Sequence, residues 1–395
     1  MGIVDIMFAV FVCVGLVAVS RVINFFCYNW CMLIGFLYKS VLRPILFLND
    51  SEVIHERFVK FGNFLGRYRL GKKIVSSLFF YSDKSLEQNI LGINFKNPIG
   101  LAAGFDKNAR LVDILPSVGF GFMEVGSITS QKCEGNPKPR LWRAKKSKGI
   151  VVYYGLVNDG CEKIFKRLIT KKFDIPLGIS IAKTNSKDTA ETEAGISDYF
   201  KAYKTMLEIG NYITINISCP NAFGGEPFTD PTKLEKLLKK ISETPKKKPI
   251  FLKLSPDLKE QEIDAILAVC GNHAIDGFIC SNSTKKRVNI IDENLPEKGG
   301  ISGKPMEELA DNLIKYIYKR TNGKYVIIGC GGVFSAEDAY KKIKLGASLV
   351  QLISGMIYEG PQLIGEINKG LVHLLKKDGF DNISQVIGMD NSSRN

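Results

Sequence analysis

Residues 212–219 read YITINISC. Apolar and small polar residues alternate until the run breaks at Pro220-Asn221 and dissolves into Gly224-Gly225. β-branched and aromatic residues at this density predict a strand. The pattern recurs in PIGLAAGF (98–105), FMEVGSIT (122–129), PLGISIAK (176–183), PIFLKLSP (249–256), DGFICSNS (276–283), YVIIGCGG (325–332) and LVQLIS (349–354). Stretches of helical period separate the runs, so the economical arrangement is an α/β fold of eight parallel strands closed into a (β/α)8 TIM barrel. Barrels of this kind build their active sites at the carboxyl ends of the strands, so chemistry is expected in the last residues of each run.

Those ends form a coherent set. The first carries Ala102-Ala103-Gly104 and then Phe105-Asp106-Lys107, the fourth Asn216, Ser218 and Cys219, the fifth Lys253, and the sixth Ser281-Asn282-Ser283. The seventh and eighth end in Gly331-Gly332 and Ser354-Gly355, and GGISGKP (299–305) contributes Ser302-Gly303. Backbone amides at the late loops of such barrels are where phosphate docks. Lys107 and Lys253 at buried strand ends need anionic or electron-rich partners. Together they point to a flavin mononucleotide and an acidic substrate, although periodicity alone leaves other phosphate-binding barrels open. Cys219 by itself is either inert packing or a reactive base.

The 395 residues, 45% hydrophobic and 24% charged, suffice for a sizeable core. Nine cysteines without a CxxC pair and three scattered histidines, His55, His273 and His373, give no metal site and no disulfide framework. The net charge of +14 resides in lysine runs such as TPKKKP (244–249) without interleaved aromatics. It reads as a basic surface facing anionic lipid, not as a nucleic-acid interface. Residues 6–20 and 22–38 carry no charge, and Asp5 ahead with Arg21 after argues against a cleaved signal peptide. Residues 1–38 are therefore expected to be a retained membrane anchor. Residues 39–90 read as a small amphipathic helical domain, with Val53, Phe58, Phe61, Phe64 and Leu65 at helical spacing. It either caps the main domain or forms an apolar mouth for a lipid-soluble ligand. The barrel is expected over 91–390.

KNPIGLAAGFDKNA, EVGSIT, EGNPKPRLWR, NISCPN, FLKLSPDL, SNST, GGISGKP, IIGCGGV and GASLVQL together resemble the dihydroorotate dehydrogenase family. The hydrophobic N-terminus resembles its class 2, membrane-bound and quinone-reducing form. The likeness runs from about residue 40 to about residue 390. It implies an FMN-dependent barrel that oxidises dihydroorotate to orotate in pyrimidine synthesis, acting as a monomer and passing electrons to a ubiquinone-type quinone. In a eukaryote it implies the mitochondrial inner membrane.

Carried over by position, the resemblance puts FMN contacts on Ala102, Ala103, Gly104, Ser127, Ser180, Asn216, Lys253, Ser281, Ser302, Gly303, Gly331, Gly332, Ser354 and Gly355. Substrate contacts fall on Lys107, Asn216, Asn221, Asn282 and Ser283, and quinone contacts on His55 and Arg143. Asparagine amides donate and accept at once, which suits the urea-like edge of a pyrimidine. Class 2 relatives usually have serine where this chain has Cys219, and class 1 relatives have cysteine, so a class 2 body carries a class 1 base. A thiol of ordinary pKa, about 8.5, is a better base at neutral pH than an alcohol. Where the family reads Asn-x-x-Gly-Phe-Asn, this chain has Val152 to Val157. Ser180 replaces a flavin-contacting asparagine, and Ile353 a tyrosine on the quinone side. These departures leave open an FMN barrel with another substrate, or a catalytically weakened paralogue.

Overall fold

The computed structural model describes residues 33–391. Eight strands, β1 (Ile99–Leu101), β2 (Phe122–Ile128), β3 (Leu177–Ile181), β4 (Tyr212–Asn216), β5 (Ile250–Leu254), β6 (Gly277–Cys280), β7 (Val326–Cys330) and β8 (Leu349–Leu352), close into a parallel barrel. Every strand pairs with its sequence neighbours, and β8 returns to β1 with Gln351 opposite Gly100. All eight expected runs supply a strand, and this is the (β/α)8 architecture. The strands are shorter than the runs because their last residues turn out of the ladder to build the mouth of the barrel.

The floor of the barrel is aromatic. Phe95, Phe122, Tyr212, Phe251, Ile279, Ile328 and Leu349 form one buried cluster, with Phe95 edge-on to Phe122 at 5.4 Å and Tyr212 against Phe251 at 5.3 Å. Gly178 makes room for it, since a Cβ there would stand 2.1 Å from the Tyr212 ring. The hairpin Gln88–Ile90 and Ile93–Phe95 delivers Phe95 to the cluster. The hairpin is a sheet of its own beneath the barrel, and its turn at Leu91-Gly92 falls at the expected boundary between extension and barrel.

Over the opposite end lies a three-stranded antiparallel sheet of Leu141–Ala144, Gly149–Val152 and Gly300–Gly303. Tyr358 ties it to the segment after β8, its hydroxyl lying 2.9 Å from Ala144 O and 2.7 Å from Gly149 O. The helical extension comprises α1 (Arg43–Phe47), α2 (Ser51–Gly66) and α3 (Arg69–Phe79). Asp50 caps α2 by accepting from Glu52 N and Val53 N at 3.0 and 2.9 Å.

Val59, Leu65 and Phe79 pack on the main core, whereas Phe36, Ile45, Leu48, Val53, Phe64 and Leu70 stay exposed. The extension thus caps the barrel and also leaves an apolar face open. The expected anchor falls mainly on residues 1–32, outside the described residues. Among the described residues no helix is long and apolar enough to cross a membrane.

Candidate active site

At the barrel mouth, Asn216 is the hub where β2, β3, β4 and β6 meet. Its Nδ2 donates to Ser127 Oγ at 2.8 Å, and that hydroxyl pairs with Ser180 Oγ at 2.8 Å. Its Oδ1 accepts from Ser218 Oγ and Asn282 Nδ2, each at 3.3 Å. Asn282 Nδ2 also donates to Ser218 O at 2.6 Å, and Ser283 N donates to Asn282 Oδ1 at 2.9 Å. Ser281 N is held by Cys330 O at 2.9 Å. Lys253 lies opposite Asn216 in the β4–β5 ladder, only 4% exposed and with no ion-pair partner among the described residues.

The acid coupled to Lys253 is Glu124, whose Oε2 accepts from Tyr212, Thr214 and Gln351 at 3.2, 3.0 and 3.2 Å. Burial raises the Glu124 carboxyl above its ordinary range. A buried ammonium with so little compensation calls for an electron-rich acceptor at the barrel mouth.

On the far side, Ser302 Oγ and Ser354 Oγ face each other at 3.1 Å. With Gly303, Gly331, Gly332 and Gly355 they form a set of hydroxyls and amides suited to a phosphate. Gly104, at φ +110°, has only Ile353 Cδ1 within 4 Å of where its Cβ would be, so backbone and open space meet there. Ala102 N and Gly104 N are already committed to Leu352 O and Gly126 O at 3.3 and 2.8 Å. These two residues therefore offer a ligand shape and carbonyls, not amide donors. A long ligand with a phosphate at one end and a polar ring at the other fits this mouth, and FMN has that form.

Lys107 is placed between two sites. Its Nζ lies 3.2 Å from His55 Nε2 and 3.9 Å from the centre of the Tyr154 ring. Burial pulls Lys107 down to about 8, opposed by the Glu52 and Asp106 carboxylates. Burial, reinforced by Lys107, pushes His55 well below its ordinary value, so His55 is neutral. His55 stacks edge-on against Phe105 at 4.9 Å. Arg143 donates to Asn49 O at 2.8 Å and lies 4.5 Å over the Phe47 ring, between α1 and α2. The extension is fixed by a pair the sequence reading missed. Arg140 Nε donates to both oxygens of buried Glu52, at 3.0 and 3.1 Å, and Nη2 adds a 2.7 Å bond.

Cys219 is half-buried three residues beyond the end of β4. Burial pushes its thiol up to about 11, with Glu226 and Cys133 adding to the rise and the Asn221 backbone N–H and Lys253 opposing it. The expectation of an ordinary thiol is corrected: burial holds Cys219 above that value, so less of it is thiolate at neutral pH than an ordinary cysteine gives. Asn221 does not point freely into the site, since its Nδ2 donates to Val152 O at 2.8 Å and its carbonyl accepts from Asn136 at 3.0 Å. Asn185 completes the bracket, donating to Asn136 Oδ1 and Gly155 O at 3.1 Å each and accepting from Phe223 N at 2.5 Å. Asn136, Asn185 and Lys183 hold the loop after Cys219. Lys183 stood in plain view as the last residue of a predicted strand run.

The barrel, the hydroxyl and amide set at its late loops and the buried lysines define a flavin-type oxidoreductase barrel. Residues 85–375 match the family model described as dihydroorotate dehydrogenase. The chain is 36% identical over 377 residues to dihydroorotate dehydrogenase (quinone) of Trichodesmium erythraeum, covering 90% of this chain and 99% of that one. It is 38% identical over 340 residues to the enzyme of that name from Christiangramia forsetii, covering 85% and 99%. Among solved structures, it is similar to Eimeria tenella DHODH in complex with ferulenol, with a TM-score of 0.79 and 29% identity, covering 88% of this chain and 96% of that one. The chain belongs to the dihydroorotate dehydrogenase family.

Proposed function

We infer that this protein oxidises dihydroorotate to orotate with FMN and passes the electrons to a quinone, a step of pyrimidine biosynthesis. The carrying observation is the convergence of Asn216, Asn282, Lys253 and Cys219 on one barrel mouth with a phosphate-type set beside it. Lys253, Ser127, Ser180 and Asn216 would hold the ring of FMN. Ser302, Gly303, Gly331, Gly332, Ser354 and Gly355 would hold its phosphate, with Ala102, Ala103, Gly104 and Ser281 along its length. When bound, FMN supplies the hydride acceptor.

The residues of the chain do the remaining work. Asn216, Asn282 and Ser283 orient the pyrimidine edge, Asn221 braces the neighbouring loop through Val152 O, and Lys107 meets the carboxylate. Cys219 takes the proton from the carbon next to the carbonyl while the hydride leaves the adjacent carbon. Steady-state orotate formation coupled to reduction of a ubiquinone analogue tests the reading. Purified holoenzyme that forms no orotate would overturn it.

A pH dependence follows from Lys107. Its ammonium is the form that holds a carboxylate, and in the free enzyme that form is lost above about pH 8. The orotate dissociation constant should be flat below that pH and rise toward tenfold per pH unit above it. Equilibrium titration of the flavin spectrum with orotate from pH 6 to 10 checks this, and a flat profile would remove Lys107 from the carboxylate.

His55 and Arg143 beside the apolar face of α1 and α2 support a quinone path through the extension. That exposed face and the neighbouring Arg57, Lys60, Arg67, Arg69, Lys72 and Lys73 fit an anionic lipid surface, with residues 1–38 as anchor and the mitochondrial inner membrane as the setting in a eukaryotic cell. The protein acts there as a monomer. Deleting residues 1–38 should move the protein from the membrane pellet to the supernatant while FMN stays bound. Full-length protein extracted by carbonate would contradict the anchor.

A further inference from the structure

Lys183 is a buried cation without an anion. It is 3% exposed, and its Nζ donates to two neutral oxygens, Thr189 Oγ1 at 3.2 Å and Phe223 O at 3.1 Å. No carboxylate forms an ion pair with it among the described residues. Asp198, the acid coupled to it, is taken by Thr184, whose N and Oγ1 donate at 2.8 and 2.7 Å. An ammonium kept out of water at this cost is explained if it faces a negative charge that develops in function.

The neighbour that can carry such a charge is Cys219. β3 and β4 are adjacent, with Ile181 opposite Ile215, and Lys183 and Cys219 lie two and three residues beyond the ends of these neighbouring strands. Both line one cavity of about 10 Å³, together with Asn216, Tyr199 and Ala222, which is about the room one water needs. The two groups are coupled electrostatically. Other groups facing the thiol are Glu226, Cys133, Lys253 and the Asn221 amide, and Lys285 takes up the charge of Glu226 at 3.1 Å. Facing Lys183 are Asp198, Cys219 and Cys133.

We propose that Lys183 is the cationic partner that holds Cys219 in its proton-accepting thiolate form, a positioning residue for the base. The proposal rests on the reading of Cys219 as the base. In the step, a thiolate lone pair forms the S–H bond as the substrate C–H bond breaks, and the hydride leaves the adjacent carbon for FMN. Lys183 stays protonated throughout, and the thiol returns its proton to water before the next turnover.

The test uses FMN-loaded protein. Alkylation of Cys219 by iodoacetamide is followed against pH by mass spectrometry of its peptide. Flavin bleaching by dihydroorotate is followed in parallel by stopped flow without oxygen or quinone. In the wild type, half-maximal alkylation is expected at or below the ordinary thiol value of about 8.5. A midpoint near 11, where burial holds the thiol in this structure, overturns the proposal without any variant.

Lys183→Gln should move both pH profiles up by about 1–2 pH units, and Lys183→Arg should keep them near the wild type. Superimposable wild-type and Lys183→Gln profiles also overturn it. A Cys219→Ala protein that bleaches at the wild-type rate removes the base reading. A slow Cys219→Ala protein beside an unmoved Lys183→Gln profile removes Lys183 alone.

Discussion

Cys219→Ala should bind FMN normally and slow its reduction by dihydroorotate by about 10²- to 10⁴-fold, the contribution of a positioned proton acceptor. Flavin retention is expected because Asn216, Lys253 and the glycines of the late loops are untouched, and because the thiol makes no bond that braces Asn216: Ser127, Ser218 and Asn282 do that. Cys219→Ser should fall between the two. Its rate should climb at higher pH than that of the wild type, since an alcohol is the weaker acid and leans on its neighbours to lose the proton. Stopped-flow bleaching without oxygen, from pH 6 to 10, measures both variants. Wild-type bleaching by the alanine protein would return Cys219 to the inert packing that is usual for strand cysteines.

The second large effect is expected far from the reacting atoms. Arg140→Ala leaves the Glu52 carboxylate buried without its partner, a loss of about 3–5 kcal/mol for pairs of this kind. Lys138, at 3.4 Å but mostly exposed, compensates little. Arg140 Nη1 also donates to Glu134 O and Asn136 O at 2.8 and 3.0 Å, so one guanidinium joins α2 to the loop that brackets Asn221. Thermal unfolding should shift to lower temperature, and quinone-linked turnover should fall more than flavin bleaching because the extension undocks while the barrel keeps its core. Glu52→Ala combined with Arg140→Ala should cost less than the sum of the two single changes. An Arg140→Ala protein that melts like the wild type would show that the pair does not hold the extension.

Much of this architecture was legible because strands buried on both faces read as short β-branched runs whatever surrounds them. The eight runs located the barrel, and their ends located Asn216, Lys253, Asn282 and Cys219. Elements that depend on distant partners were not legible. Gly300–Gly303 becomes a strand only by pairing with Gly149–Val152 far back along the chain, and it does not look like a strand alone. The hairpin at Leu91-Gly92 had a local signal, a glycine turn between two apolar runs, that went unread.

Site residues divide in the same way. Lys183 was read as the end of a strand, although a lysine there is as unusual as Lys253. Asn136 and Asn185 act through backbone groups of other loops, which no local pattern reveals. The pKa of Cys219 is not legible from the residue type because burial, ahead of the charges around it, sets its value.

Anaerobic titration of the purified, FMN-loaded protein with dihydroorotate tests the central claim most directly. The flavin absorbance should bleach at one equivalent of dihydroorotate per FMN, release one orotate, and return on addition of one equivalent of a ubiquinone analogue. A flavin that stays oxidised through excess dihydroorotate, yet bleaches with dithionite, would contradict the account and leave Val152 and Leu156 as the marks of a barrel built for another substrate.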